Sequence, residues 1–126
     1  MIVSRIIRDA PSEVMLQVTG TERGAKTQRI LALADLRDGP HYLRVTGVFF
    51  AIEGGSVRLY WEGKETHSLL MPLEGRGSMQ LDWCSNALAD PLADEGTGGV
   101  ILEVSPAPTK QCLFSLAIEF AKQRRL

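Results

Sequence analysis

Residues 42–63 read YLRVTGVFFAIEGGSVRLYWEG, and this stretch decides the fold. Its first half, Tyr42–Ile52, is apolar on both faces and rich in Val and Phe, which is typical of a strand in the middle of a sheet and covered on both sides. The second half places Val57, Leu59 and Trp61 on one face by strict alternation. Glu53-Gly54-Gly55 lies between the halves and predicts a tight reversal. The stretch therefore predicts a central strand, a glycine turn and a half-buried return strand.

The same alternation extends outward from this centre in both directions. The predicted inward-facing sets are Val14, Leu16, Val18; Leu69, Met71, Leu73; Met79, Leu81, Trp83; Val100, Leu102, Val104; and Cys112, Phe114, Leu116, Ile118, Phe120. Turn residues separate them at Gly20–Gly24, Asp38–Pro40, Glu74–Gly77 and Gly96–Gly99. About eight or nine short strands at this spacing predict an all-β, antiparallel β-sandwich or barrel, with residues 1–126 as a single domain.

Two segments have helical character. Gln28–Leu36 has good helix formers, but a strand is favoured because both neighbours are strands and Gly39-Pro40 ends the segment promptly. The sequence is also compatible with a short helical turn at Asn86–Leu92. Neither changes the predicted all-β class.

Composition narrows the function classes. The chain has 126 residues, 44% hydrophobic and 23% charged, with 14 Lys and Arg against 15 Asp and Glu. This balance lacks the basic footprint of a nucleic-acid-binding protein. The apolar runs are far shorter than the roughly 20 residues of a membrane-spanning helix, and Met1–Ala10 lacks the pattern of a signal peptide. We therefore expect no nucleic-acid partner, no membrane partner and synthesis in a cytoplasm.

The sequence GTERGAKT, Gly20–Thr27, nearly matches a phosphate-binding P-loop. Ala25 stands where that motif needs its second glycine, and the helix that should follow is not expected here. A glycine-bearing hairpin loop is therefore the favoured interpretation.

Other chemistry has weak support in the sequence. His41 and His67 stand apart, which disfavours a zinc site, and Asp90, Asp94 and Glu95 are read as a solvated turn rather than a calcium site. Catalytic and cofactor-binding residues are not predicted. Cys112 is expected to be a buried, reduced thiol, although a disulfide with Cys84 stays open.

The layout of the chain from about Lys26 to Lys122 resembles the small β-sandwich cement, or decoration, proteins on the heads of tailed bacteriophages. The resembling segments are ALADL, YLRVTGVFFAIEGGSVRLYWEG, LLMPLEGRGSMQLDW, GTGGVILEVSP and SLAIEFAK. The shared features are the Gly54-Gly55 hairpin, Trp61 at the end of the return strand, and the turns at Gly75 with Gly77 and at Thr97-Gly98. Met1–Gly24 lies outside the resemblance, and 86–94 has less glycine than the family pattern.

This resemblance implies a jelly-roll-like sandwich that is part of the virion. It implies binding to the outside of an assembled capsid, with the major capsid protein as partner, often as a homo-oligomer (a dimer or trimer). We expect the segments Met1–Arg8 and Lys122–Leu126 to act as contacting arms, through Arg5, Arg8, Arg124 and Arg125. Such a clamp requires buried area rather than a reactive group.

Two rival functions remain at this stage. A carbohydrate- or receptor-binding module would use exposed tryptophan as a stacking platform, but Trp61 and Trp83 both continue apolar stripes, and Tyr42, Phe50 and Tyr60 are better candidates for exposed aromatic contact. A small hydrolase with a site assembled in space would draw on His41 and His67.

Overall fold

A computed structural model describes residues 1–81, 88–92 and 96–124 of the chain. The sequence predictions for Trp83, Cys84, Asp94, Glu95 and Arg125 lie outside these residues, as do the first two residues of the segment 86–92; its described part, 88–92, forms turns and an isolated bridge rather than a helix. The described strands are β1 (Ile2–Asp9), β2 (Glu13–Glu22), β3 (Lys26–Leu31), β4 (Tyr42–Gly63), β5 (Ser68–Gln80), β6 (Gly96–Pro106) and β7 (Cys112–Gln123), with a 3-10 helix at Leu33–Asp35. The fold is an antiparallel, jelly-roll-like β-sandwich, as predicted, with seven described strands rather than eight or nine.

The strands form two layers that share β4 and β5. The order in the sheet is β1-β2-β7-β4-β6-β3, and β5 pairs with β4. The first half of β4 pairs with β7, whereas its second half pairs with β6. The first layer is therefore β1-β2-β7-β4-β5, and the second is β5-β4-β6-β3. The edges of the two layers approach where the Gln28 side-chain amide donates to the Ile2 carbonyl at 3.4 Å, so the sandwich is nearly a closed barrel.

The predicted hairpin at Gly54-Gly55 is wrong, because β4 continues through both glycines and bends from one layer into the other. Gly54 has φ +78°, and a Cβ built on it would lie 2.1 Å from the Gln111 carbonyl oxygen. Strand β5, which pairs with both halves of β4, bends at the same level. The register there passes from Ala51↔Arg76 to Ser56↔Glu74, around Gly75. Glycine spacing alone does not distinguish a reversal from a bend.

Other predicted turns also lie within strands. Glu74–Gly77 belongs to β5, and Gly96–Gly99 belongs to β6. Gly20 is still in β2, so the loop is confined to residues 23–25 and joins two strands that do not pair with each other; it is not a hairpin. The turn at Asp38–Pro40 is confirmed, with φ of 66° at Asp38 and 48° at Gly39.

The core lies between the layers and agrees with most of the predicted inward sets. The predicted stripes of β2, β6, β7 and the second half of β4 are buried. Trp61, only 2% exposed, meets Phe120 across the core with ring centroids 6.3 Å apart. The central position of β4 is confirmed, because it pairs with a strand on each side.

Two inward predictions on β5 are wrong. The register shifts between Leu59 and Tyr60, so Met71 lies opposite Leu59 but Leu69 lies opposite the outward-facing Tyr60 and is 55% exposed. Met79 lies on the edge strand of the first layer and is 36% exposed. A bulge reverses the alternation of side chains, and a strand at the edge of a layer leaves some inward side chains uncovered. The period-two pattern of the sequence predicts neither effect.

The segment Gln28–Leu36 is a strand as far as Leu31, as favoured, and then forms the short 3-10 helix. In the described part of the chain, no helix has the length and apolar character needed to cross a membrane.

Candidate interaction surface

The outer surface of the first layer carries a patch of six uncharged side chains on its three central strands. The register places Gln17 of β2, Ala117 of β7 and Phe49 of β4 in one row. Thr19, Ser115 and Ala51 form the adjacent row. Their chain neighbours Val18, Leu116 and Val48 are buried, so these six residues point to solvent. We call the surface centred on these six residues the uncharged face.

Exposed apolar side chains extend this face at one end. Met1, Val3 and Leu113 are 81%, 41% and 47% exposed, and they border a shallow groove of about 570 Å³. The charged side chains on its wall, Glu53 and Arg76, pair with each other at 3.1 Å. The groove therefore presents apolar contact area with little net charge.

A bulge in β1 positions two of the predicted partner-binding arginines. The register passes from Ile6↔Leu16 to Arg8↔Met15, so the extra residue Ile7 turns Arg8 to the outward side, where Arg5 also lies. Arg8 pairs with Glu13 at 2.7 Å, and both side chains are largely exposed. Arg5 and Arg8 thus share one surface, the rim of the uncharged face.

The predicted terminal arms are part of the sheet. Residues 2–9 form β1, and β7 extends to Gln123, so neither Met1–Arg8 nor the start of Lys122–Leu126 projects from the fold. Arg124 is exposed just beyond β7, and Arg125 lies outside the described residues. Binding by these arginines stays a prediction, but the projecting-arm interpretation is corrected because hydrogen bonding to β2 and β4 holds both segments in place.

A buried lysine ties these ends together. The Lys122 side chain is 1% exposed, and its Nζ contacts Asp9 Oδ1, donates to the Arg37 carbonyl at 2.8 Å and lies 3.7 Å from Asp38. The Arg37 amide donates to the other oxygen of Asp9 at 2.9 Å. The hydrogen bond from Lys122 lowers the pKa of Asp9, against the opposing effect of burial. We call this group the Lys122 clasp.

The clasp brings together charges that sequence reasoning did not connect. Arg37 is exposed and is held beside the end of β1, and the Lys122 amide donates to the Ser12 carbonyl of the β1–β2 turn. Arg8, Arg37 and Arg124 therefore lie at one end of the sandwich together with the acidic Glu13 and Asp38, and we call it the basic end after its three arginines. Arg37 has no sequence signal of its own, because only tertiary contacts place it there.

Aromatic exposure also differs from the prediction. Tyr42, Phe50 and Tyr60 are half-buried, whereas Phe49 is 41% exposed at the centre of the uncharged face. The sequence VFF carries no signal that selects the second of its phenylalanines as the inward one. That choice follows from the pairing of Phe49 with Ala117 in register.

The outer surface of the second layer has a different chemistry, with charged residues on every strand. Glu62 is 8% exposed and accepts hydrogen bonds from Arg29 at 2.8 and 3.0 Å and from the Thr97 hydroxyl. Burial by itself would raise the pKa of Glu62, but these hydrogen bonds outweigh it and leave the pKa lowered. Arg58 and Glu103 are paired in register beside it. We call this surface the charged face.

The structure separates the residues considered for catalysis. His41 precedes β4 and His67 follows its far end, where His67 Nδ1 accepts from the Gly63 amide at 3.2 Å. Among the described residues, no three His, Cys, Asp or Glu side chains group as metal ligands would. Lys26–Leu31 is a strand, so the P-loop-like sequence lacks the helix that phosphate binding would use.

Two further titratable groups of the described residues are buried, and one of them corrects a prediction, because Asp90, expected in a solvated turn, is shielded from solvent with its Oδ2 accepting no hydrogen bond. Asp90 is 4% exposed, its Oδ1 accepts from the Leu92 amide at 2.8 Å, and burial raises its pKa. Cys112 is a free, fully buried thiol, as predicted, and burial raises its pKa, which disfavours the reactive thiolate.

Comparison with known proteins supports the fold rather than a family. No protein-family model and no curated protein matches the sequence. Among solved structures, the chain is similar to a protein from work on the triple jelly-roll fold and turret assembly in an archaeal virus. The TM-score is 0.52 at 13% identity, over 97% of this chain and 31% of that one. The chain thus spans about a third of that viral protein and shares its jelly-roll fold.

A second solved structure, KdgF from Halomonas sp., has 10% identity and a TM-score of 0.38, over 98% of this chain and 82% of that one. That value is too low to support an argument.

Proposed function

We propose that this chain is a structural virion protein that binds the outer surface of a capsid and stabilises contacts between major capsid protein subunits. The observation that carries the proposal is the similarity of nearly the whole chain to a viral jelly-roll structure. The broad sheet faces suit contact by area and shape.

The basic end is the proposed capsid contact. Arg8 and Arg124 are exposed there, with Arg37 beside them. Arginine is enriched at protein interfaces because its guanidinium can form paired hydrogen bonds with carboxylates and also pack on apolar surface. An acidic patch on the major capsid protein is therefore the complementary surface, and many copies on one shell would strengthen a weak individual contact.

Cosedimentation of the purified protein with capsids that lack it tests this proposal. The Arg8→Glu, Arg124→Glu double variant should lose most binding, because like charges would then face each other. Arg58→Glu on the charged face is the control and should bind as the wild type does, since it reverses the charge of one exposed arginine on the other layer, where the double variant reverses two at the basic end. Truncation of β1 is unsuitable, because it would remove a strand of the sheet.

The outcomes are distinct. Wild-type binding that is lost in the double variant and kept in Arg58→Glu supports the proposal. No association of folded wild-type protein with the capsids would overturn the virion role, and equal binding by all three proteins would overturn the assignment to the basic end.

A further inference from the structure

We propose that the part of β5 from Arg76 to Gln80 is a docking edge, to which an extended segment of a different protein adds as a further antiparallel strand. We call Arg76–Gln80 the open edge. The inference does not rest on the proposed virion function. It follows from the hydrogen-bonding groups of this edge, from the contrast with the protected edges of the fold, and from the side chains beside it.

The open edge exposes a row of backbone groups. In the described part of the chain, β5 pairs with β4 alone. The Leu81 amide donates to the Thr46 carbonyl at 2.9 Å, so the backbone of Leu81 faces β4. Since this direction alternates along an antiparallel strand, every second residue back from Leu81 also faces β4, and the residues between face away. Those that face away are Arg76, Ser78 and Gln80. Their amides and carbonyls are the groups that an added strand would bind.

Two other described edges carry features that block an added strand. β1 has an extra residue at Ile7, and β3 has a register shift between Arg29 and Leu31. These two edges also face each other, because the Gln28 side chain donates to the Ile2 carbonyl. Bulges and contacts of this kind protect a sheet edge from further pairing.

The two parts of β5 differ in the same respect. In the part that pairs with the second half of β4, Leu70 is an extra residue and Pro72 has no amide hydrogen to donate. The open edge has no register shift, no proline and a single charged residue, Arg76, which pairs with Glu53 at 3.1 Å. All of its residues are exposed. The open edge is therefore the regular, unprotected part of the strand.

The side chains beside the open edge define the chemistry of the occupant. Met79 lies opposite the buried Val48, so it points to the core side of the layer, and so does Gly77 two residues earlier. Met79 is 36% exposed, and the half-buried ring of Phe50 reaches Gly77, where an added Cβ would lie 2.9 Å from the ring. The side chains that alternate with these are polar. The occupant is therefore a segment that alternates apolar residues, which would cover Met79 and Phe50, with polar residues.

The size of the open edge favours a peptide segment over a second folded copy of this chain. Its five residues span about 17 Å at a rise of about 3.4 Å per residue, and a sheet is about 10 Å thick, so the edge offers roughly 170 Å². A stable interface between folded proteins takes about 800 Å² from each partner. An added strand requires less area, because main-chain hydrogen bonds supply much of its affinity.

An NMR titration of the full chain with a synthetic peptide tests the inference. The probe has capped ends and the sequence Lys-Thr-Val-Thr-Val-Thr-Val-Lys, and it should bind with a dissociation constant of about 1 mM or tighter. The amides of Arg76, Ser78 and Gln80 should then exchange with solvent more slowly. The factor should be one plus the ratio of the free peptide concentration to the dissociation constant. The amides of Gly77 and Met79, which already face β4, should change little.

Ser78→Pro is the blocking variant. It removes an amide hydrogen that faces away from β4, so the fold should persist by circular dichroism. The dissociation constant of the peptide should rise at least about tenfold, because a donor is lost and the proline ring obstructs the edge. Ser78→Ala keeps the amide and should bind within about twofold of wild type.

Two modified peptides repeat the test without a change in the protein. In an antiparallel pair, the threonine residues of the probe place their amides against β5, while the valine amides face solvent. Methylation of the threonine nitrogens should therefore abolish binding, and methylation of the valine nitrogens should be tolerated. These peptides decide the question alone if Ser78→Pro does not fold.

Several results would overturn the inference. One is a lack of binding of the unmethylated peptide to the folded wild type, and another is equal binding by the wild type and a folded Ser78→Pro. Equal effects of the two methylations would also overturn it. If the amides of the open edge become protected as the protein concentration rises without peptide, the edge pairs with a second copy, and the assignment to a different protein is wrong.

Discussion

The two halves of β4 belong to one strand but present opposite chemistries to solvent. In the first half, the outward residues are Gly47, Phe49 and Ala51, with Glu53 at the end, whereas in the second half they are Arg58, Tyr60 and Glu62. Both halves pair with β5, and both bury alternate apolar residues in the same core. A single strand can therefore contribute to two faces of different chemistry, provided that the chain bends between them without ending.

The largest expected effect comes from breaking that bend. Gly54→Ala should lower the free energy of unfolding by at least about 3 kcal/mol, because the residue has a positive φ and its new Cβ would clash with the Gln111 carbonyl. Gly75→Ala, with φ 71° but open space, should cost only about 1–2 kcal/mol. Urea unfolding measures the loss of unfolding free energy in both variants.

Gly24→Ala is the control for this pair. Gly24 has neither a positive φ nor a neighbour within 4 Å of the added Cβ, so the variant should be unchanged or up to about 1 kcal/mol more stable. Equal losses at Gly24 and Gly54 would show that the bend does not depend on this glycine geometry.

The next effect concerns the Lys122 clasp, which fixes the end of the first layer. Asp9→Asn should cost about 3 kcal/mol, because it leaves the buried Lys122 ammonium without its main charged partner. Glu13→Gln, which breaks the exposed pair with Arg8, should cost no more than about 1 kcal/mol. Thermal unfolding at neutral pH compares them.

The clasp also predicts a pH dependence. Since the folded-state pKa of Asp9 is lowered, its stabilising contribution is fully present above the ordinary pKa of 3.8 and is lost as the pH falls through the lower folded-state value. The acid-induced loss of stability should therefore be smaller in Asp9→Asn than in the wild type. An identical pH profile in both proteins would contradict the assignment.

A smaller effect is expected on the charged face. Glu62→Gln should cost about 1–2 kcal/mol, because it weakens hydrogen bonds from Thr97 and Arg29, and the half-exposed Arg29 can regain hydration. Glu103→Gln, on the same face, where Glu103 accepts a long hydrogen bond of 3.4 Å from the Tyr60 hydroxyl and lies opposite the exposed Arg58, should stay within about 0.5 kcal/mol of wild type. Chemical unfolding measures the free energy of unfolding of both variants. Equal losses would show that the hydrogen bonds of Glu62 do not stabilise the fold more than those of Glu103 do.

The smallest effect on stability is expected on the uncharged face. The free energy of unfolding of Phe49→Arg should lie within about 1 kcal/mol of the wild-type value, because Phe49 is 41% exposed and lies between Ser78 and Ala117 in register. A larger loss of unfolding free energy would show that Phe49 stabilises the fold although its side chain is exposed.

Much of the sandwich could be predicted from local patterns. The stripe from Cys112 to Phe120 and the alternation at Val14–Val18 are confirmed, because β2 and β7 pair with each other without a register shift and the extra residues opposite them lie on β1 and β4. The predictions at Leu69 and Met79 are wrong for the two reasons that local patterns omit, a register shift and an edge position. Of the candidate surface, the sequence supplied Arg5 and Arg8 but could not supply Phe49 or Arg37.

The sequence by itself determined that alternate side chains form a common apolar core, because burial of those side chains favours strands whose period matches the pattern. It also determined the near-neutral charge. Only the tertiary structure decided that Gly54-Gly55 is a bend rather than a reversal, which partner strand each half of β4 takes, and which outward residues share a face. Those outcomes depend on contacts between residues far apart in the chain, such as Gly54 with Gln111 and Asp9 with Lys122, and no local pattern of residues records them.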